Sequence, residues 1–310
     1  MIVAITGGSG FIGAKLAKRH LAAGDRVRIL TRKAKLPVPG AEIFRADLGD
    51  CKDSPAALAP FVQDADLLYH CAWIVQDRAS TDSVHVAGTR RLLQASAGRI
   101  GRWVQLSTTA VYGGPFEDEE IDEESPSPPP QGSYEQAKAE ADRLVLEAAH
   151  EGALQCSVLR AAAVIGPDMP AAWLRQLVAA IERRRFFFIG KPGATINTVA
   201  VENVVDALQL CATHPEAVGR IYNVCDWRSW ESFVGAICAA LGLRPPSLRC
   251  PAVLGSIATL VPGSPLTRMR LNALTNRRRY ASRRLERELG YRHQVSLEQA
   301  LHRCVAQWTT

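Results

Sequence analysis

Residues 6–13 read Thr6-Gly7-Gly8-Ser9-Gly10-Phe11-Ile12-Gly13. An apolar run at 2–6 precedes them, and a helical pattern over 11–23 follows. In a strand–turn–helix context each glycine of the triplet has a use. Gly7 permits a tight turn, Gly10 lets the backbone approach a pyrophosphate, and Gly13 lets the helix pack closely on the strand. The helix start, with Phe11 and Ile12, then offers free N–H groups and partial positive charge to phosphates. A purely structural turn has no need of three glycines at this spacing. The segment therefore reads as the phosphate loop of a dinucleotide site.

Working outward, apolar runs recur at 2–6, 27–31, 43–46, 67–72 and 103–108, each four to six residues long. Gly, Asp and Ser flank them, as buried parallel strands require. Helical spacing fills 11–23, 84–97 and 134–149. This alternation predicts an α/β fold, a Rossmann doubly wound parallel sheet with right-handed crossovers. Regularity weakens after about residue 163. Helices are predicted at 170–185, 229–241, 282–289 and 296–308, a strand at 186–189, and a return to the sheet-and-helix pattern at 198–211 and 221–225. The expected organisation is a dinucleotide-binding domain over 1–165, continued by 198–226. A smaller, mostly C-terminal substrate-binding lobe takes 166–197 and 227–310.

Composition agrees. The chain has 310 residues, 37 Lys+Arg and 31 Asp+Glu, a formal net charge of +6, with 47% hydrophobic and 22% charged residues. Those values exclude wholesale disorder and fibrous repeats. No run approaches roughly 18 apolar residues, so no transmembrane segment is expected. The N-terminus starts on a strand rather than a signal peptide, so a cytoplasmic location is expected. Eight cysteines without a CxxC pair read as reduced, mostly buried thiols, and no metal site is expected. Two charge blocks stand out: seven acids in residues 117–124, and eight arginines against Glu286 in residues 268–287. Both are expected to be solvated faces. A nucleic-acid partner is disfavoured, because Tyr280 is the one aromatic residue in the arginine block.

Cofactor choice is read at the end of the second strand. An acid there would bond the ribose 2′-OH of NAD. The sequence has Leu30-Thr31-Arg32-Lys33. A guanidinium pairs with a 2′-phosphate through a forked contact, so NADP(H) is favoured over NAD(H), which stays open. Asp47-Leu48, after the third strand, is placed to meet the adenine edge. Tyr134-Glu135-Gln136-Ala137-Lys138 puts a phenol and an ammonium one helical turn apart on one face. That ammonium, with the positive ring of an oxidised nicotinamide, is expected to draw the phenol down toward working pH. The pattern is common by chance on surface helices. It gains weight from the Ser/Thr-rich strand end Leu106-Ser107-Thr108-Thr109-Ala110-Val111-Tyr112-Gly113 upstream.

With these residues in view, the chain resembles the extended short-chain dehydrogenases/reductases, which include NAD-dependent epimerases and dehydratases. The resemblance rests on the 6–13 loop, Asp47-Leu48, His70-Cys71-Ala72, Val86-Ala87-Gly88-Thr89, the 107–113 segment, Tyr134 with Lys138, Arg160 with Gly166-Pro167, and residues 201–207. It implies that Tyr134 is the acid/base, that Lys138 tunes it and holds the nicotinamide ribose, and that Thr108 bonds the substrate oxygen, with Ser107 the runner-up. It places Ala72 beside the cofactor. It also implies a homodimer built on helices 84–97 and 134–149.

The departures narrow the reading. His85 stands where the family usually has Asn, and Trp73 where a small residue is usual. Thr109 and Ala110 replace the Asp-Glu pair of sugar-nucleotide dehydratases. Ala163 replaces an Asn, and Asn203 an Asp, of sugar-nucleotide epimerases. Residues 201–204 and the 280–291 tail look more like the 3β-hydroxysteroid dehydrogenase-like branch, whose substrates are apolar. The apolar stretch 251–262 is expected to be core of the smaller lobe, with a pocket lining or peripheral membrane contact as alternatives. The leading expectation is an NADP(H)-linked ketone/alcohol oxidoreductase acting on a small apolar molecule. A nucleotide-sugar 4-epimerase with bound NAD is the alternative, and a non-catalytic NADP-binding sensor the second. Retained NAD would mark the epimerase, exchangeable NADP(H) the reductase.

Overall fold

The structure, a computed structural model, describes residues 1–32, 38–50, 55–74, 81–113, 118–130, 132–170, 172–259 and 266–309. Lys33, Cys51, Glu117 and the end of the 251–262 stretch lie outside the described residues.

The chain opens with β1 (Ile2–Thr6), α1 (Phe11–Ala22), β2 (Arg26–Thr31), β3 (Glu42–Arg45), α2 (Pro55–Val62) and β4 (Ala65–His70). A π turn (Ser83–Ala87) leads into α3 (Gly88–Ser96), then β5 (Ile100–Thr108) and a 3-10 turn (Thr109–Tyr112). A short β6 (Glu120–Ile121) precedes α4 (Ser133–His150), β7 (Cys156–Ala161) and β8 (Ala163–Ile165). Next come α5 (Ala172–Glu182), β9 (Phe188–Ile189), β10 (Thr195–Ala200), α6 (Val201–Thr213), β11 (Arg220–Val224) and β12 (Asp226–Ser229). The tail carries α7 (Trp230–Leu241), β13 (Arg249–Cys250), α8 (Ala252–Ala258), α9 (Arg268–Thr275), β14 (Arg279–Tyr280), α10 (Arg283–Leu289) and α11 (Leu297–Thr309).

Seven strands form one sheet in the order β11-β7-β5-β4-β1-β2-β3. Every pairing in it is parallel. This is the expected doubly wound α/β Rossmann architecture. Its inner strands are covered on both faces, which is why they read as unbroken apolar runs. Val3, Ala4 and Ile5 are fully buried, as are Leu68, Tyr69, Trp103 and Val104. Strand order reverses between β1 and β4, and a crevice opens beyond their carboxyl ends. Thr6 and His70 are register partners there.

A second apolar cluster packs Leu174, Val178 and Ile181 of α5 against Phe233 and Ile237 of α7 and Leu301 and Val305 of α11. It sits beside the three-stranded sheet β12-β10-β8. The 251–262 stretch does not join that core. Val253, Leu254 and Ile257 of α8 are more than half exposed. In its described part the buried residue is Gly255, against Ile189 and Leu271. The expectation of buried core fails because a seven-residue helix docks through its smallest residue. All seven described cysteines are free thiols, and all but Cys250 are buried. No described helix is long and apolar enough to cross a membrane.

The two charge blocks are solvated at their margins, but they also meet each other. They neutralise each other across a parallel β6–β14 pair. Asp118 pairs with Arg279 at 2.8 Å, Glu120 with Arg283 at 2.8 Å and Glu124 with Arg284 at 3.0 Å. At the centre Arg278, only 3% exposed, donates to Glu119 Oε1 at 2.6 and 3.0 Å and to the Gly113 carbonyl. The outer pairs are largely solvated and contribute little. Arg278 is the member whose desolvated guanidinium needs its partners. Arg278→Met should therefore lower the unfolding free energy by about 2 kcal/mol, and Arg283→Met by less than about 0.5 kcal/mol. Urea denaturation of both variants checks this. Equal losses would show that burial does not set the strength of the clamp.

Candidate active site

The loop after β1 has the geometry that its glycines permit. Gly7 has φ of +67°, and a Cβ there would lie 2.5 Å from the Cys71 carbonyl oxygen. A Cβ on Gly13 would lie 2.4 Å from the Gly7 carbonyl oxygen, so α1 reaches the turn closely only as glycine. The Gly10 N–H donates to the Gly7 carbonyl at 2.9 Å, and α1 begins at the next residue with no acid in its first turn. The free N–H groups of that turn face no competing carboxylate of their own helix.

A cavity of about 770 Å³ extends from this loop. Gly7, Gly10, Phe11, Ile12 and Gly13 line one end, with Arg32, Asp47, Leu48 and Ala72 beside them. Thr108, Tyr134 and Lys138 line the other end. The glycine-loop, Arg32, Asp47-Leu48, Ala72, Thr108, Tyr134 and Lys138 candidates are thus brought to one cavity, while His85 and Asn203 are not among its lining. Met169, Pro170 and Trp173 add apolar lining beside the carboxylate of Asp168. A wider depression of about 1110 Å³ lies against α3 and α4, but it shares only Asp47 with this cavity and holds neither loop nor phenol. The glycine cradle, the open helix start and the elongated cavity fit a dinucleotide. Gly7–Gly13 would hold its pyrophosphate, and Asp47 with Leu48 its adenosine end.

Arg32 lies at the cavity edge with its side chain 63% exposed, 3.4 Å from Asp47. An ion pair so exposed is weak and easily exchanged for another anion. Thr108, at the end of β5, accepts a hydrogen bond from Ala110 N at 3.2 Å, which leaves its hydroxyl proton for the cavity. Ser107 is buried and donates to Asp142 Oδ2 at 2.8 Å. That bond spends the hydroxyl proton of the runner-up.

Tyr134 and Lys138 share a face of α4, and Asp142 continues that face one turn further. Lys138 is 3% exposed and donates to the Leu106 carbonyl at 2.5 Å. Burial holds its ammonium below the ordinary lysine value, and the nearby Asp142 charge opposes this. Asp142, 1% exposed, also accepts from Arg160 Nε at 3.2 Å. Burial raises its carboxyl, while Arg160 and Lys138 pull it down. The phenol of Tyr134 is governed chiefly by its burial. Burial pushes it above its ordinary value near 10, a hydrogen bond from Trp73 opposes this, and Glu135 and Asp142 add to the rise. His85, 1% exposed, presents its ring edge-on to Tyr134 at 5.6 Å and donates from Nε2 to the Ile74 carbonyl at 2.9 Å. Burial and the Lys138 charge push it down to about 4, so it is neutral at working pH.

Asn203 is a correction. It departs from the Asp of sugar-nucleotide epimerases, but it does not line the cavity. It is fully buried and donates to the Val295 carbonyl at 2.7 Å, while accepting from Gln294 N and Val295 N at 3.0 Å. It pins the segment ahead of α11 and carries no information on substrate. Ala163, the other departure, does line the cavity. Asp142 went unread, although its i+4 spacing from Lys138 was visible. Nothing in the sequence pointed to Met169, Pro170 and Trp173.

Residues 3–225 match the NAD dependent epimerase/dehydratase family. The chain belongs to this family. Among its relatives is the 4-hydroxy-2-methyl-3-oxo-4-farnesyl-3,4-dihydroquinoline-1-oxide ketoreductase of Stigmatella aurantiaca, 30% identical over 96% of this chain and 93% of the relative. The 3 beta-hydroxysteroid dehydrogenase/Delta 5-->4-isomerase of Mycobacterium tuberculosis is 27% identical over 98% of this chain and 89% of the relative. The crystal structure of a UDP-galactose 4-epimerase superposes with a TM-score of 0.74 at 20% identity, covering 100% of this chain and 99% of that one. That likeness concerns the fold alone. As a member of the epimerase/dehydratase family, the chain is an enzyme, and its named relatives include reductases and dehydrogenases.

The cradle is testable by adding one carbon. Gly13→Ala should abolish the thermal stabilisation that saturating NADPH or NADH gives the parent protein, with the far-UV spectrum unchanged. Ligand stabilisation follows RT ln(1 + [L]/Kd), so a shift that persists at parental size would exclude this loop as the binding element.

Proposed function

We propose that this family member reduces a ketone on an apolar substrate to the secondary alcohol, using NADP(H). The observation that carries the reading is one cavity joining the glycine cradle to Thr108, Tyr134 and Lys138, with Met169, Pro170 and Trp173 adding apolar lining beside Asp168. When bound, the dinucleotide supplies the hydride. Tyr134 gives its hydroxyl proton to the substrate oxygen. Burial keeps that phenol protonated, the form that a proton donor needs. Thr108 donates to the same oxygen and orients it. Lys138, buried against the Leu106 carbonyl, holds positive charge beneath the phenol and is positioned to bond the ribose.

The apolar substrate class draws on the wall residues and on Ala163, which lines the cavity where sugar-nucleotide epimerases usually carry Asn. The printed names of the two relatives also describe farnesylated and steroid molecules. The NADP(H) preference draws on Arg32 at the cavity edge and on Thr31 where an acid would bond a 2′-OH.

A panel of 2-decanone, acetophenone, a 3-ketosteroid, UDP-galactose and UDP-glucose, run with both cofactors, tests the class. Turnover of a ketone and none of the sugars is expected. Robust epimerisation of a sugar would sink the reductase reading. Tyr134→Phe should lose about 10²–10⁴-fold in kcat with little change in cofactor affinity. A primary isotope effect with deuterated cofactor establishes first that chemistry limits the rate. Near-full turnover by that variant would mean that another group supplies the proton. Arg32→Ala should weaken NADPH far more than NADH, as titration would show. Equal losses for both would mean that Arg32 does not read the 2′-phosphate.

A further inference from the structure

Trp73 lies at the mouth of the cavity with 60% of its surface exposed. Its indole Nε1 donates to Tyr134 Oη at 2.9 Å, and the two rings meet edge-on with centroids 6.3 Å apart. An indole N–H is a donor only. It takes a lone pair of the phenol oxygen and leaves the phenol's own proton unspent. When that proton departs, the oxygen becomes anionic and the same bond becomes charge-assisted and stronger.

The other described groups around the phenol bond elsewhere, Thr108 and Lys138 each keeping a proton for the bound molecules. On α4, the Lys138 ammonium donates to the Leu106 carbonyl, Asp142 takes Ser107 and Arg160, and the charges of Glu135 and Asp142 work against an anionic phenol. On the π turn, neutral His85 donates to the Ile74 carbonyl. At the end of β4, His70 sits between Thr6 and Thr89, and burial pushes the Cys71 thiol up to about 12, so it is uncharged. On β5, Thr108 accepts from Ala110. Among the described residues, the donor bonded to the phenol oxygen is the indole.

We propose that Trp73 is a positioning residue for Tyr134, its indole N–H holding the phenol oxygen toward the cavity and stabilising the anion formed when the proton passes to substrate. The proposal rests on Tyr134 as the proton donor. His85 supports it indirectly, because its bond to Ile74 fixes the backbone immediately after Trp73.

Trp73→Phe keeps a ring and removes the N–H, and the exposure of the site makes it harmless to folding. Trp73→His keeps a ring N–H and serves as the rescue. The first readout needs no substrate. In ¹⁵N–¹H spectra the Trp73 indole signal, assigned by its loss in Trp73→Phe, should move when Tyr134→Phe removes the acceptor, while the other indole signals stay. An unmoved signal would overturn the proposal. The second readout is the pH profile of kcat for the fastest of the panel ketones, 2-decanone, acetophenone or the 3-ketosteroid, and for its matching alcohol. Alcohol oxidation needs the anionic phenol, so its rising limb in Trp73→Phe should shift to higher pH by about one unit. That is roughly a tenfold loss below the midpoint, with the plateau retained. Ketone reduction needs the protonated phenol, so it should persist to higher pH than in the parent. Trp73→His should move both limbs back. A loss equal at all pH values and in both directions, or no shift, would also overturn the proposal. If Tyr134→Phe keeps near-full turnover while the indole signal still moves, the bond exists but Tyr134 is not the donor. The failure then belongs to the functional reading, and the assigned role of Trp73 falls with it.

Discussion

A buried carboxylate answers two buried cations beneath the cavity. Lys138 on α4 and Arg160 on β7 would each be costly to desolvate alone, by several kcal/mol after relaxation. Asp142 offers a counter-charge to both, and Ser107 on β5 donates to it. Arg160 then lies over the Tyr112 ring at 4.8 Å. One group thereby ties the helix that carries Tyr134 to the ends of the two central strands. The placement of the phenol, the ammonium and the Thr108 hydroxyl all follows from that tie.

The same arrangement explains the ionisation pattern. An ammonium facing only a phenol would favour the phenolate. Here the ammonium donates to the Leu106 carbonyl, and the Asp142 charge supports the ammonium while working against an anionic phenol. The resting site therefore holds phenol, neutral imidazole at His85 and neutral thiol at Cys71. Such a site suits the proposed proton donation, and the Trp73 indole already bonds the phenol oxygen.

A second electrostatic tie acts at the other side. The arginine block of the tail closes on the acidic block after β5, with Arg278 reaching the carbonyl of Gly113 at the end of the segment that begins with Thr108. Tyr280 stacks on Tyr112 at 5.8 Å in the same place. The tail is thus fastened to the turn that follows the β5 hydroxyls, and the Arg160–Asp142 pair meets that turn through Tyr112.

Much of this was legible in order along the chain. The doubly wound sheet, the glycine cradle and the Tyr134–Lys138 spacing were legible from local periodicity, because a buried parallel strand, a tight turn and a helix face each leave a short-range signature, while Thr108 came from the resemblance to a known family. Several elements left none. The strands β6, β8, β12 and β14 are two to four residues long. The helix α2 carries Pro60 within it, and α8 turns its apolar side outward. Which charges meet is a long-range fact. Glu119 and Arg278 are 159 residues apart, and their pairing depends on where the tail returns. The same holds for Asn203, a polar residue whose partners lie 91 and 92 residues away, and for Trp73, whose indole finds the phenol across 61 residues. The sequence alone determined the fold class and which residue types could do chemistry, since those depend on neighbours in the chain. Only the tertiary structure decided which group answers which charge, because Coulomb and hydrogen-bond energies depend on distance and burial in space, and neither is a property of sequence position.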